Sequence, residues 1–273
     1  MPVYENLSYS AYEELPGIRS GDLRAIRQSP RHYRLREAHD NDGMRVGRIV
    51  HDVVAGADLE SCCSVWRGGV RRGKQWESFV AAESEPIITE AQEQSIRCMV
   101  NALQEHDVAR ELLSRPARKE LVVTWEEDGL PAKARLDSLT DDGVILELKT
   151  DGKGIDERRF AQRMVELGYH LQFAWYQYGL VSAQGLIAPV TVVAVEQNWP
   201  HDVAVYDIGE DTIRAGLDEC REALATLKHC QKTGRWPGAH PGVGTIELPP
   251  WYWKQAEQDA GPGLNLQGVR RGK

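Results

Sequence analysis

The sequence predicts an α/β protein, a mixed β-sheet flanked by helices and preceded by a helical N-terminal region. Three observations predict it. Apolar residues recur at helical spacing through about residue 115, the period shortens to two from Glu120, and helix and strand patterns then alternate as far as Lys232. At 273 residues, with 41% apolar and 27% charged side chains, the chain can bury one substantial core or at most two small ones. The expected organisation is a single domain over 1–273: a mainly helical part over 1–115, a core over 116–235 and a tail over 236–273.

In chain order, Ser20 reads as the cap of a short helix to about Gln28, and Ser29-Pro30 reads as an N-cap followed by proline in the first turn of the next helix. Gly43 to Ala55 carries Val46, Ile49, Val50 and Val53 at helical spacing, which sets His51 beside the apolar stripe, one turn beyond Gly47. A loop is expected through Arg67-Gly68-Gly69-Val70-Arg71-Arg72-Gly73-Lys74, then one long helix from about Thr89 to Leu113, closed by Pro116. Leu121 to Trp125, Ala132 to Leu139 and Val144 to Thr150 read as an antiparallel meander with turns at Gly129-Leu130 and Asp142-Gly143. Helical patterns follow over Asp156 to Leu167 and Tyr169 to Ser182. Strands are expected at Val190 to Glu196 and Val203 to Ile208, and a last helix over Asp211 to Lys232. The tail, with Pro249-Pro250-Trp251-Tyr252-Trp253, reads as a packed extension or a partner-binding segment.

Composition narrows the function classes. No segment approaches the roughly 18 consecutive apolar residues of a membrane span, and the N-terminus lacks a basic start followed by an apolar run. A soluble cytoplasmic protein with no membrane partner is therefore expected. The 5 cysteines are odd in number and form no C-x-x-C pair, which points to reduced thiols rather than a disulfide or metal staple. The net charge of -8 works against phosphate binding. Its distribution is uneven, because Arg19, Arg24, Arg27, Arg31, Arg34, Arg36, Arg45 and Arg48 face only Asp22, Glu37, Asp40 and Asp42 in the same stretch. That stretch is either a basic surface or a solvated helical face laced with charge.

The chemistry-bearing residues lie in the meander. Side chains alternate along a strand, so Lys133, Arg135 and Asp137 share one face, and Ile145, Glu147 and Lys149 share another. Pairing through Asp141-Asp142-Gly143 would bring Asp137 beside Glu147, with the Lys149 ammonium in the same patch. Two facing carboxylates repel, and a divalent cation removes the conflict. Magnesium suits such a site, because it binds through one or two carboxylates, keeps several waters and takes substrate phosphate as a further ligand. Lys149 could then hold the attacking water and stabilise charge on phosphate oxygens. An ordinary Glu147–Lys149 strand-face ion pair is the plainer alternative. Gln172 and Tyr176, four apart on a helix, share a face and offer an amide and a phenol. A lone histidine such as His51 is more often a packed core residue than a ligand.

Asp137, Glu147-Leu148-Lys149, Gln172-x-x-x-Tyr176 and the preceding Gly47-x-x-x-His51 together resemble the PD-(D/E)xK nuclease superfamily, and most of all its phage and prophage exonucleases of the RecE type, also called exodeoxyribonuclease VIII. Ser29-Pro30-Arg31-His32-Tyr33, Arg72-Gly73-Lys74-Gln75-Trp76, Lys133 to Asp137, Tyr169 to Gln172, Trp236-Pro237-Gly238 and Leu248 to Trp251 extend the likeness over most of the chain. The resemblance implies a restriction-endonuclease-like core. It implies metal ligation by Asp137, Glu147, the Leu148 carbonyl and His51, with Lys149 assisting the water as a catalytic residue and Gln172 and Tyr176 supporting the site and approaching DNA. Many relatives carry aspartate at the position of Glu147. The four spaced cysteines of the iron–sulfur branch are missing.

The function expected is a Mg2+-dependent exodeoxyribonuclease, with Mn2+ able to substitute, that degrades linear double-stranded DNA from its 5′ ends and leaves single strands for recombination. The resemblance further implies a single-strand annealing partner and a ring-shaped trimer or tetramer. Ser20, a helix N-terminus and Arg19 or Arg24 could surround a terminal 5′-phosphate. The alternatives are a structure-specific or restriction-type endonuclease on the same core, or a catalytically silent DNA-binding protein.

Overall fold

The computed structural model describes residues 2–5, 7–37, 41–240 and 242–259. In chain order its elements are β1 (Val3–Tyr4), α1 (Tyr9–Glu14), α2 (Ser20–Gln28), α3 (Pro30–Leu35), α4 (Asp42–Val54), α5 (Leu59–Cys62), β2 (Ser64–Trp66), α6 (Lys74–Ala82), β3 (Ile87–Thr89), α7 (Glu90–Glu105), α8 (Asp107–Leu113), β4 (Ala117–Glu127), β5 (Leu130–Thr140), β6 (Ile145–Asp151), α9 (Glu157–Leu167), α10 (Tyr169–Gln184), β7 (Val190–Glu196), β8 (Val203–Asp207), α11 (Glu210–Thr233) and α12 (Pro250–Asp259).

A six-stranded sheet in the order β1-β4-β5-β6-β7-β8 forms the centre, and β2 pairs with β3 in a small parallel sheet apart from it. Within the large sheet β6 and β7 run parallel, and the other neighbouring pairs are antiparallel. A parallel pair needs a crossover, and α9 with α10 supplies it. Side-chain alternation then divides the core. Ile145, Val192 and Ala194 join Leu23, Leu171, Phe173, Trp175 and Leu224 on one face, while Leu146, Leu148, Val193 and Val195 join Val46, Ile49, Val50, Ile96 and Met99 on the other. The sheet is thus covered by α2, α10 and α11 on one side and by α4 and α7 on the other, the mixed architecture expected.

Local chemistry explains the helix starts. Ser29 accepts from the His32 amide with Pro30 at the first position, and Asn41 accepts from the Met44 amide at the start of α4. The α10 helix is apolar nearly all round because it packs on the sheet with one side and on α11 with the other, so it shows no amphipathic stripe.

Several boundaries differ from the sequence reading. Ser20 is the first helical residue and not the cap; Arg19 holds the cap position, and its amide donates to the Asp22 carboxylate over 2.9 Å. The long helix expected from Thr89 to Leu113 is two helices, because His106 is extended and its ring nitrogen accepts from the Ala109 amide to start α8. The segments β1, β2, β3, α5 and α6 were not anticipated; each is short, and pattern periodicity needs a longer window. Cys62, Cys63, Cys98, Cys220 and Cys230 are all free thiols. The tail begins as a packed extension: Trp236 stacks on Tyr33 with ring centroids 5.8 Å apart, and the Pro237 carbonyl accepts from the Arg31 amide. Asp40 and the tail beyond 259 lie outside the described residues. Among the described residues no helix is long and apolar enough to cross a membrane.

Candidate active site

The site sits where β5 and β6 part. Their ladder is registered at Ser138↔Leu146 and Leu139↔Ile145. One residue further on, side chains take over from the backbone: the Asp137 amide donates to Glu147 Oε1 at 3.1 Å, and the Leu148 amide donates to Asp137 Oδ2 at 2.9 Å. Each carboxylate thus holds the opposing strand by its N–H, and the backbones splay into a notch. Glu120 on β4 marks the same level with a φ of 52°. There the ladder passes from Lys119↔Ser138 to Leu121↔Leu136, and Glu120 and Asp137 are both left out of it.

Lys149 completes the notch by donating to Glu147 Oε2 over 2.8 Å. The Glu147 side chain is 0% exposed and Lys149 11%, whereas Asp137 is 25% exposed and faces the opening. From the other side α4 delivers His51, whose Nδ1 lies 3.3 Å from Asp137 Oδ2 and whose ring also bonds the Leu148 backbone. Gly47 makes this approach feasible. A Cβ there would sit 2.9 Å from Thr150 Oγ1, so a larger residue would push α4 off β6 and His51 away from the carboxylates. A cleft lined by His51, Glu120, Asp137, Leu146 and Leu148 opens over the notch.

The electrostatics are those of a site short of positive charge. Burial, and then the Asp137 charge, push the Glu147 carboxyl up to about 7 against the pull of Lys149. Burial works against the Lys149 ammonium, but the Glu147 and Asp137 charges outweigh it and raise its pKa. Burial lowers the His51 pKa, with Asp137 opposing, which favours the neutral imidazole. Glu120 is likewise pushed up to about 7 by burial, although Arg135 bonds it at 2.7 Å. Among the described residues no three His, Cys, Asp or Glu side chains gather into a ready-made metal cage.

Tyr176, expected to approach DNA, is instead buried at 6% exposure because α10 lies flush on the sheet. Its hydroxyl accepts from the Gln172 amide at 2.6 Å, and the charges of Glu147 and Asp137 help raise its pKa after burial itself. Tyr176 is therefore within electrostatic reach of both carboxylates. Two residues given no role in the sequence reading flank the lysine: Lys149 Nζ lies 5.2 Å from the Tyr169 ring centroid and 5.8 Å from that of Phe173. The signal was present, since Tyr169, Gln172, Phe173 and Tyr176 recur at helical spacing. Glu120 gave no signal, because its place depends on a backbone irregularity. Lys133, which strand alternation puts on one face with Arg135 and Asp137, is buried and donates to the Tyr12, Glu13 and Leu15 carbonyls at the end of α1.

The N-terminal arginines are largely engaged. Arg19 pairs with Glu13, Arg27 with Glu219 and Arg36 with Asp22, the pattern of a charge-laced helical face. Arg24 donates to the Leu167 carbonyl at 2.9 Å, and its charge acts on Tyr169.

Residues 23–247 match the family model described as a PDDEXK-like domain of unknown function (DUF3799). The chain belongs to this family. The match spans every residue of the notch and of α10, and with the sheet order above it places the chain in the PD-(D/E)xK superfamily on a restriction-endonuclease-like core. No curated protein matches the sequence. A crystal structure from Eubacterium rectale, of a protein classed as an exonuclease by assignment, superposes with a TM-score of 0.62 at 12% identity, covering 96% of this chain and 100% of that one. At that identity the likeness shows the fold alone. The structure of SSO0001 aligns at a TM-score of 0.29 and 15% identity over 70% of this chain and 87% of that one.

Proposed function

We propose that this chain is a metal-dependent deoxyribonuclease, and the observation that carries the reading is the meeting of Asp137, Glu147 and Lys149 in the notch between β5 and β6. No fold requirement calls for two carboxylates and an ammonium at a point where they displace ladder bonds. The donor set fits a hard divalent cation. Asp137, Glu147 and the Leu148 carbonyl offer oxygens, His51 offers a neutral imidazole, and two close carboxylates with raised repulsion want a positive charge between them. Two carboxylates with water and phosphate suffice for magnesium, so a closed protein cage is unnecessary. When bound, Mg2+ or Mn2+ would supply Lewis acidity toward a phosphodiester and its attacking water. Lys149, held by Glu147 at 2.8 Å and close to the two rings, would hold that water and donate to a phosphate oxygen.

The family match supports a nuclease in general. The finer reading follows the RecE-type resemblance: a cytoplasmic exonuclease that digests linear duplex from 5′ ends, grips the terminal phosphate near Arg24, closes into a ring around DNA and passes single strands to an annealing protein. A ring would let a chain of net charge -8 stay on DNA by enclosure.

The decisive assay incubates the protein and magnesium with linear duplex, with the same duplex lacking 5′-phosphate, and with covalently closed circles. Linear DNA is degraded, missing phosphate slows the reaction, and circles survive. Circle cleavage at a comparable rate would replace the exonuclease with an endonuclease, and inertness on all three would leave a DNA-binding protein. Glu147→Gln and Asp137→Asn should each lose at least about a hundredfold in rate while staying folded, since each ~1.4 kcal/mol of lost transition-state stabilisation is tenfold. Lys149→Ala should lose turnover and keep metal binding by calorimetry. Near-wild-type cleavage by a folded Glu147→Gln protein sinks the site.

A further inference from the structure

The pairing that ties down the arginines of α2 stops at α3. Arg31 and Arg34, three residues apart and so on one face of that helix, are exposed and meet no carboxylate among the described residues. The other end of the chain adds to them. The Arg31 amide donates to the Pro237 carbonyl at 3.0 Å, and the Arg34 guanidinium lies 5.7 Å from the centre of the Trp236 ring, so the exit from α11 is fastened to α3. Lys232 in the last turn of α11 and Arg235 just beyond it are exposed and likewise meet no carboxylate among the described residues. Cations from two distant stretches of sequence thus gather without a counter-ion.

The nearby acids are committed elsewhere. Asp22 pairs with Arg36, and Glu219 takes both Arg27 and His170. Glu37, just past α3, is the one acid of that stretch outside a pair among the described residues. In a chain of net charge -8, whose surface arginines such as Arg110, Arg214 and Arg221 sit beside carboxylates, unpaired cations in one place make a local positive field. The rings at the patch are engaged with each other: Trp236 stacks on Tyr33, Arg34 lies against Trp236 and Arg36 against Tyr33. With charge on offer and the rings already covered, the surface fits phosphates rather than bases.

We propose that Arg31, Arg34, Lys232 and Arg235 form a second contact for duplex DNA, a sequence-independent seat for backbone phosphates away from the notch. The proposal rests on the nuclease reading and adds to it a surface that holds DNA while the notch cuts. Arg24 of α2 bonds the Leu167 carbonyl, two residues ahead of the Tyr169 whose ring lies 5.2 Å from Lys149. From Arg24 to Arg31 the chain runs to the end of α2 and three residues on, at most about 17 Å at ~1.5 Å per helical residue and ~3.6 Å per extended one. A duplex covers that interval in about five base pairs at ~3.4 Å each.

The test follows fluorescence anisotropy of a labelled blunt duplex over a series of salt concentrations, with Glu147→Gln protein in magnesium, alone and with Arg31→Gln, Lys232→Gln and Arg235→Gln combined. Arg34 is left in place because it packs on Trp236. Binding should weaken at least about tenfold, and the slope of log affinity against log salt should fall by roughly 0.9 for each phosphate contact removed, alike for duplexes of unrelated sequence. Arg31→Lys with Arg235→Lys should keep both. Unchanged affinity and slope overturn the proposal. If the melting temperature alone falls, the cations serve the C-terminal ends of α3 and α11; if sedimentation alone changes, they face another copy of the chain. Either result overturns it, as does weakened binding confined to a single-stranded oligothymidylate. The parent protein judges the nuclease reading separately: if it cuts DNA and the triple variant binds duplex as before, the patch alone has failed, whereas a parent that neither cuts nor binds DNA fails both.

Discussion

Lys149 carries its charge where burial by itself would remove it. Glu147 and Asp137 hold the proton on, and the rings of Tyr169 and Phe173 lie 5.2 and 5.8 Å from the ammonium. A cation over a desolvated ring gains about 2 kcal/mol. Tyr169→Leu should therefore lower kcat by roughly tenfold with little change in KM, and Tyr169→Phe should restore it, as steady-state kinetics on linear duplex would show. A KM effect shared by both variants would mean that the hydroxyl touches DNA instead. Glu120 bears on pH. Its folded pKa of about 7 lies above the ordinary carboxylate value, so the folded state keeps the extra proton between roughly pH 4.5 and 7 and loses stability as pH rises through that window. Glu120→Gln mimics the protonated form. In chelator it should melt close to wild type near pH 5 and above it near pH 8; a gap that does not grow with pH would count against the buried-acid account.

At the scale of elements, α10 brings Tyr169 and Phe173 to Lys149 on one side and meets α11 on the other. Two glycines set its distance. A Cβ on Gly216 of α11 would stand 2.3 Å from the His170 carbonyl oxygen, and one on Gly179 would stand 2.6 Å from the Trp125 ring. Gly216→Ala should cost about 1–3 kcal/mol by overpacking, seen as a lowered denaturation midpoint, and should lower activity because Tyr169 and Gln172 ride on the displaced helix. Most of these elements were legible where the pattern was long: α4, α9, α11, β4 to β7 and the Ser29-Pro30 start all follow from period, cap and turn chemistry. The break at His106 was not, because a histidine ring acting as an N-cap leaves no mark on the apolar periodicity around it.

For the whole molecule, both apolar clusters share β6 and β7, so neither half of the core can melt and leave the other a partner. Calorimetry should show one cooperative transition with calorimetric and van't Hoff enthalpies in agreement; two resolved transitions would mean two domains. Magnesium should raise that transition in wild type and not in Asp137→Asn, by mass action on the folded state. By itself the sequence determined the α/β class, the meander, and the residues of the notch, because strand alternation and a two-residue register are local rules that carboxylate and lysine spacing obey. Tertiary structure decided the rest. Only the parting of β5 from β6 lets Glu147 accept from the Asp137 amide and Asp137 accept from the Leu148 amide, and only the packing of α10 buries Tyr176 and brings Tyr169 to Lys149. Each depends on where a distant element comes to rest, which the spacing of residues along one strand or helix does not encode.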